Sequence, residues 1–120
     1  MAKHNELGTD GERVAAQFLE SKGHRVMDVN FRRPYGELDI VSQDPKGKLH
    51  FVEVKSVSWE TQYLPEENIH PMKMQRLMRI IQSYLSFKGD TDWQFDVVAV
   101  YLDREQKKAR VRYLENVILT

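Results

Sequence analysis

Two short segments near the middle of the chain alternate apolar and charged residues. They are Tyr35-Gly-Glu-Leu-Asp-Ile-Val41 and Phe51-Val-Glu-Val-Lys-Ser56. Alternation with a period of two is typical of strands, in which successive side chains point to opposite faces. The intervening run Asp44-Pro-Lys-Gly-Lys48 is rich in turn-forming residues and too short for a crossover helix. We therefore expect the two strands to pair as an antiparallel hairpin.

The charged residues of this hairpin fall on one face of each strand. Glu37 shares a face with Asp39, and Glu53 shares a face with Lys55. One register that keeps both sets on the same side places Asp39 opposite Glu53, and it also places Glu37 opposite Lys55. Like charges directly opposite each other destabilise a hairpin. Two buried carboxylates are tolerated when one keeps a proton or when a cation lies between them, and oxygen ligands suit a hard divalent ion.

An ordinary structural interpretation of the same residues is open. Glu37 and Lys55 would then form a cross-strand ion pair, and Asp39 and Glu53 would lie on a solvated face. A glutamate and a lysine two residues apart on a strand are common when taken alone. The pairing of two such charged sets across a tight hairpin favours a site.

A helix is predicted before the hairpin, running from about Asn5 or Thr9 to Lys22 and ending at Gly23. Its apolar stripe consists of Leu7, Gly11, Val14, Ala15, Phe18 and Leu19. Glu12 lies at the edge of this stripe. It either faces a functional site or forms a capping box with Thr9, three residues earlier.

The remaining elements follow from periodicity and from turn residues. Arg25 to Asn30 is predicted as a strand. Ser56 to His70 is a long connection, either a linker or a lid that contacts substrate. Pro71 to Phe87 has helical spacing, and Trp93 to Leu102 and Ala109 to Leu114 are predicted strands.

Asp96 and the histidines are interpreted as structural residues rather than as metal ligands. Asp96 interrupts an apolar strand, and we interpret it as a hydrogen-bonded buried group rather than a metal ligand. The four histidines, at positions 4, 24, 50 and 70, have no spacing that indicates a zinc site.

Size and composition indicate one domain, residues 1–120, in a soluble cytoplasmic protein. A chain of 120 residues has room for a single core. The absence of cysteine excludes disulfides and thiolate metal sites. No signal region or membrane span is present in the sequence, so no membrane partner is expected.

Net charge gives no basic signature, because 18 Lys and Arg balance 18 Asp and Glu. Basic residues are nevertheless clustered. Arg32, Arg33, Lys73 and Arg76 are candidate phosphate contacts if metal neutralises the acidic residues. A solvated charged face is the alternative for any one cluster.

The ordered motifs resemble those of a known family. Glu-x-Asp, a loop and Glu-x-Lys resemble the PD-(D/E)xK nuclease motif. The chain as a whole resembles the YraN-like predicted endonuclease family, which is distantly related to archaeal Holliday-junction resolvases. The similarity extends from the start to about residue 100. The residues that carry it are Gly8, Gly11, Glu12, Ala15, Gly23, Asn30 to Arg32, Gly36 to Ile40, Phe51 to Lys55, Lys73, Arg76, Leu77 and Phe95 to Val100.

This resemblance implies a three-layer α/β/α, restriction-endonuclease-like core with a mixed sheet. It implies an endonuclease that uses Mg²⁺ or Mn²⁺ to hydrolyse phosphodiester bonds in DNA, with structure selectivity in repair or recombination. Asp39 and Glu53 would hold the ion, and Glu12 would complete the site. Lys55 would orient the attacking water or stabilise charge on the phosphate. Glu37 would be a Lys55 partner or an outer residue.

Two positions depart from the family pattern. Arginines common in the family are replaced here by Val57 and Gln94, which leaves other basic residues to contact phosphate. The alternative function is a non-catalytic nucleic-acid binding module that retains the nuclease fold, and a third is an interaction protein with a purely structural hairpin. DNA is favoured over RNA. Cleavage of a four-way junction would require a symmetric homodimer.

Overall fold

The computed structural model has two helices and five strands in the predicted order. It describes residues 3–60 and 71–117, with side chains for residues 10–60 and 72–117. The elements are α1 (Lys3–Ser21), β1 (Arg25–Arg33), β2 (Gly36–Gln43), β3 (Leu49–Ser58), α2 (Pro71–Lys88), β4 (Trp93–Asp103) and β5 (Lys108–Leu114).

The strands form one mixed sheet in the order β1-β2-β3-β4-β5. β3 and β4 are parallel, and the other neighbours are antiparallel. A parallel pair needs a long crossover, and the segment containing α2 makes that connection. β4 lies between β3 and β5 and is buried from Gln94 to Leu102, which explains its nearly continuous apolar sequence.

The two helices cover opposite faces of the sheet, which confirms the predicted three-layer α/β/α architecture. α1 packs through Ala15 and Leu19 against even-numbered residues of the central strands, including Val52 and Val98. α2 packs against the other face, including Phe51. Its contacts come from the buried stripe Met74, Leu77, Ile80, Ile81 and Tyr84. Alternate residues of β3 thus fill two separate cores.

Some boundaries differ from the predicted ones. α1 begins at Lys3, so Thr9 lies inside the helix and does not cap it; the capping-box interpretation of Glu12 is therefore wrong. β1 continues to Arg33. β3 extends to Ser58. The part of the predicted connection from residue 61 to residue 70 lies outside the residues that the structure describes.

Asp96 is completely buried at one end of the sheet and is satisfied there. Its carboxylate accepts hydrogen bonds from the side chains of Gln94 and Tyr113 and from the backbone N–H of Asn116. It also bonds Nδ1 of His50 at 2.6 Å. The structural interpretation of this residue therefore agrees with the geometry.

His50 connects Asp96 to the β2–β3 turn. Its Nε2 lies 2.9 Å from an Asp44 carboxylate oxygen. Its ring also contacts that of His24, with centroids 4.5 Å apart, and His24 bonds the Ser42 hydroxyl. The neighbouring carboxylates outweigh burial and raise the pKa of His50 above its ordinary value.

Neither described helix is long and apolar enough to cross a membrane.

Candidate metal and nucleic-acid site

The β2–β3 pairing has the register that would place Asp39 opposite Glu53. Paired residues run from Gln43 with Leu49 to Ile40 with Val52. One step farther along β2, a side chain replaces the backbone as the hydrogen-bond acceptor. Oδ2 of Asp39 accepts the backbone N–H of Val54 at 2.8 Å. This bond fixes the orientation of the Asp39 carboxylate at the point where the regular ladder ends.

Gly11 allows α1 to approach this part of β3. A Cβ atom at Gly11 would lie 1.6 Å from Oγ of Ser56, a distance that no ordinary side chain could accommodate. Gly11 is buried, and the next residue is Glu12. The close contact between helix and strand therefore carries the Glu12 carboxylate towards the end of the β2–β3 ladder.

Three carboxylates meet at this position. Glu12 from α1 and Glu37 and Asp39 from β2 each offer one oxygen, and these oxygens lie within 4.8 Å of one another. Glu12 and Asp39 are partly buried and Glu37 is exposed. Oxygen ligands of this kind suit Mg²⁺ or Mn²⁺, whose charge would relieve the repulsion within the cluster.

Asp39 is the most perturbed member of this group. Burial raises its pKa, the Val54 N–H lowers it, and the negative charges of Glu53, Glu12 and Glu37 raise it further, giving a value of about 7. Near neutral pH this carboxyl group therefore retains a proton in much of the metal-free population. A proton or a cation can neutralise the same cluster.

Glu53 lies near Asp39 but has cationic partners of its own. Its Oε1 is 2.7 Å from Nζ of Lys73 and 4.0 Å from Nζ of Lys55. Lys73 extends from α2, so this ion pair joins the helix to β3. The structure therefore divides the predicted ligands into a carboxylate group containing Glu12 and Asp39 and a neighbouring ion-pair group containing Glu53.

The two lysines respond differently to the shared carboxylate. Burial and the adjacent Lys73 lower the pKa of Lys55 despite the attraction of Glu53. Burial opposes protonation of Lys73 too, but its close bond to Glu53 raises its pKa overall. Lys73 is thus the principal partner of Glu53, which leaves Lys55 less tightly held.

Glu37 is positioned by β1 rather than by Lys55. Arg32 and Glu37 are opposite in the β1–β2 ladder, and their side chains form an ion pair at 3.0 Å. The regular β2–β3 pairing ends before Glu37. The predicted Glu37–Lys55 pairing is therefore replaced by a bond to Arg32, and Glu37 joins the carboxylate group instead of lying outside it.

The predicted basic contacts lie in different surroundings. Arg33 stacks over Phe31, with its Cζ 4.2 Å from the ring centroid. Arg32 is engaged by Glu37, and Lys73 by Glu53. Arg76 is exposed on α2. Their use as phosphate contacts remains a prediction.

Sequence reasoning did not identify the Lys73–Glu53 bond. Lys73 was visible as a basic residue near an apolar helical stripe, but its distance from Glu53 along the chain gave no sign of contact. The aromatic residue Tyr35, which stacks with Arg79 at 4.0 Å, was also missed as a surface feature. Its position in the β1–β2 turn was the only available signal.

Comparison with known proteins gives one family match. The family model described as "Uncharacterised protein family UPF0102" matches residues 11–100. A "UPF0102 protein" of Pelotomaculum thermopropionicum is 41% identical over 112 residues, covering 92% of each chain. Another, from Desulforamulus reducens, is 33% identical over 115 residues and covers 93% of this chain and 94% of the relative.

A solved structure is also similar to the chain. It is described as "The structure of Pyrococcus Furiosus SfsA in complex with Ca2+" and aligns with a TM-score of 0.44 and 14% sequence identity. The alignment covers 93% of this chain and 63% of that one.

Proposed function

The chain belongs to the uncharacterised protein family UPF0102, and we propose that it is a metal-dependent endonuclease that hydrolyses phosphodiester bonds in DNA. The observation that carries this proposal is the juxtaposition of two groups. Glu12, Glu37 and Asp39 form a compact oxygen cluster. Beside it, Lys55 approaches Glu53, whose charge also acts on Asp39.

The donor set fits a divalent cation. Asp39 and Glu53 would hold Mg²⁺ or Mn²⁺, with Glu12 completing the site and Glu37 available from the same cluster. When bound, the ion would supply a water of lowered pKa and positive charge beside the phosphate. The raised pKa of Asp39 supports the fit, because binding a cation would displace the proton that otherwise neutralises this carboxyl group.

Lys55 is proposed to act on the reacting phosphate. Its ammonium group lies near the acidic cluster but only at the outer limit of an ion pair with Glu53, at 4.0 Å. A cation in this position can stabilise the negative charge that develops during hydrolysis. Lys73 keeps Glu53 oriented through the shorter bond of 2.7 Å, so Lys55 does not have to neutralise Glu53 by itself.

The substrate requires basic groups beyond the reacting phosphate. Arg32, Arg33, Lys73 and Arg76 are proposed to contact nucleic acid, with DNA preferred to RNA and with structure selectivity in repair or recombination. A branched substrate cut on two strands would bring two copies of the chain together as a symmetric dimer.

The second candidate is a nucleic-acid binding module without turnover. The Lys73–Glu53 bond favours this alternative, because it occupies one of the predicted metal ligands with a lysine. A permanent bond of this kind would leave the fold and the basic surface intact while preventing complete metal coordination.

A cleavage assay tests the proposed function. Purified protein is incubated with Mn²⁺ and with duplex, nicked, branched and single-stranded DNA, and RNA of the same sequences is included. We expect cleavage of at least one DNA substrate, and Asp39→Asn should lower its rate by at least roughly a hundredfold, a loss of about 2.7 kcal/mol in transition-state stabilisation.

Asp90→Asn is the matched control, because it makes the same chemical change at an exposed position after α2. It should cleave as the wild type does. Equal cleavage by wild type and Asp39→Asn would indicate a contaminating nuclease or a different site. Binding without cleavage throughout the panel would favour the non-catalytic module.

A further inference from the structure

An open groove lies between the β1–β2 turn and the outer face of α2. Its cavity volume is about 640 Å³. Tyr35 and Gly36 form one side, and the other is formed by the α2 residues Met72, Gln75, Arg76 and Arg79. None of the described residues that line this groove is acidic. Among the residues that the structure describes, the lining of the groove therefore carries two arginines and no carboxylate.

The helical repeat explains why α2 supplies this wall. Met72, Arg76 and Arg79 are separated by four and three residues, so their side chains share one side of the helix. Met74 and Leu77 belong instead to the buried stripe that packs on the sheet. Met72 is 67% exposed, and both arginines are exposed. The outer side of α2 is thus basic and accessible.

The groove arginines differ in how they are held. Arg79 lies over the Tyr35 ring, with its Cζ 4.0 Å from the ring centroid. Stacking on an aromatic face leaves the edge of a guanidinium group able to donate hydrogen bonds to phosphate oxygens. Arg76, one helical turn away from Met72, adds a second positive charge. Together they suit an extended anion with more than one phosphate.

The groove adjoins the candidate metal site. Gly36 lines it, and the next residue, Glu37, belongs to the carboxylate cluster. On α2, Met72 is followed by Lys73, which binds Glu53. A strand lying across Tyr35 and Arg76 would therefore continue towards the acidic cluster without leaving the protein surface.

A second cavity shows why basic residues alone do not carry this inference. It has a volume of about 350 Å³ and is lined in part by Asp10, Arg13 and Arg104. Asp10 pairs with both arginines, at 3.3 and 3.5 Å. Asp103, Lys107 and Lys108 line the same cavity, so its basic residues alternate with carboxylates, whereas the described lining of the α2 groove contains no carboxylate.

We propose that the α2 groove binds the sugar-phosphate backbone of the nucleic-acid strand that flanks the cleaved bond. This inference rests on the proposed nuclease function. Arg76 and Arg79 contact phosphates, and Met72 and Tyr35 provide apolar surface for the sugars. Because these contacts do not read base edges, binding in the groove is independent of sequence and weakens with salt.

The binding arm uses a fluorescein-labelled single-stranded DNA of mixed sequence in EDTA, where cleavage does not occur. Arg76→Ala/Arg79→Ala should weaken the anisotropy-measured affinity about tenfold or more. The slope of log affinity against log salt should become shallower by about 0.7 for each phosphate that the variant no longer neutralises. Arg76→Ala alone should give an intermediate affinity, which provides a second variant if the double substitution fails to fold.

The matched control is Arg25→Ala/Lys46→Ala, which removes the same charge at the opposite end of the β1–β2 hairpin. Arg25 pairs with Gln43, and Lys46 lies in the turn beyond it. This variant should bind within about twofold of wild type. A loss as large as that of the groove variant would overturn the proposal, because it would mean that general charge determines binding.

The cleavage arm separates failure of this inference from failure of the nuclease function. With Mn²⁺ and a DNA substrate that is cut, the groove variant should show a raised KM and a kcat within about twofold of wild type. If the groove variant has the KM and the DNA affinity of wild type, the proposed binding role of the groove is wrong, while the proposed nuclease activity stands. If the groove variant binds DNA more weakly but wild type cuts no substrate, the result supports the binding role of the groove and rejects the nuclease activity.

Polyglutamate tests for a different class of partner. At equal charge concentration it should displace labelled DNA poorly from wild-type protein, because its carboxylates lack the phosphate spacing. Equal displacement by polyglutamate and by unlabelled DNA would overturn the nucleic-acid assignment in favour of an acidic protein surface.

Discussion

Asp39 illustrates how one residue can bear several constraints. Its carboxylate accepts the Val54 N–H, lies among other carboxylates and is partly withdrawn from water. The hydrogen bond favours the charged form, whereas burial and repulsion favour the neutral form, and the second set prevails. The metal-free protein therefore stores unfavourable electrostatic energy at Asp39 above neutral pH.

This balance predicts a pH dependence of stability in EDTA. The pKa of Asp39 is about 7 in the folded protein and 3.8 ordinarily, so the unfolded chain loses this proton first as pH rises. The free energy of unfolding should consequently fall between these values, by at most about 1.4 kcal/mol per pH unit. Asp39→Asn keeps an acceptor for Val54 but cannot ionise.

Urea unfolding of both proteins measures the effect. The free energy of unfolding of Asp39→Asn relative to wild type should be higher at about pH 8 than at about pH 5. The exposed control Asp90→Asn should show no such change. If the free energies of unfolding of Asp39→Asn and wild type changed equally with pH, the raised pKa of Asp39 would be contradicted.

For individual residues, the sequence predicted which charged side chains belong to the candidate site but not all of their ion-pair partners. The spacing of Glu37, Asp39 and Glu53 predicted a shared acidic face because strand geometry is local. The choice of partners depended on other elements. Arg32 on β1 engages Glu37, and Lys73 on α2 engages Glu53, and neither contact follows from spacing within the hairpin.

At the scale of elements, periodicity located the strands and helices well because each has one or two buried faces. The parallel pairing of β3 with β4 was not predictable in the same way. It depends on the path of the long segment between them. Likewise, the scattered positions of His24 and His50 in the sequence gave no sign that their rings touch.

A buried hydrogen-bonded pair joins the first residues of β3 to those of β4, and its charge should make stability depend on pH. His50 and Asp96 are buried and lie 2.6 Å apart. Burial disfavours the charged form of each, but their hydrogen bonds raise the pKa of His50 and lower that of Asp96. The charged pair is thus favoured between the ordinary pKa values of 3.8 and 6.5.

Asp96→Asn should lower the free energy of unfolding by about 3 kcal/mol in that pH range, because it removes the buried partner of the His50 cation and leaves only the Asp44 carboxylate beside it. The loss should shrink as pH rises through the raised pKa of His50, where the imidazole becomes neutral. It should also shrink as pH falls below the ordinary pKa of Asp96 towards its lowered value in the folded protein, because the unfolded chain takes up the proton first. A pH-independent cost below about 1 kcal/mol would show that the pair contributes as little as an exposed one.

For the whole molecule, the candidate site lies where several elements meet. α1 contributes Glu12, β2 contributes Glu37 and Asp39, β3 contributes Glu53, and α2 contributes Lys73. A cation bound only by the folded arrangement would stabilise all these contacts together. Metal binding and global stability should therefore be linked.

Thermal melting with increasing Mg²⁺ or Mn²⁺ tests this link. At a metal concentration one hundred times the dissociation constant, stabilisation should reach about 2.7 kcal/mol, and Tm should rise by several degrees. Asp39→Asn should reduce the rise, and Asp90→Asn should retain it. A wild-type Tm unchanged by millimolar metal would argue against a cation site in the protein alone.

The central claim is that the cluster performs hydrolysis rather than binding alone, and Lys55 separates these possibilities most directly. An interaction made only in the transition state affects turnover rather than ground-state affinity. Single-turnover cleavage by wild type and Lys55→Ala is measured with Mn²⁺ at saturating DNA, together with affinity in EDTA. We predict that Lys55→Ala loses most cleavage and retains affinity within several-fold. A wild-type protein that binds DNA but cuts it no faster than Lys55→Ala would contradict the account.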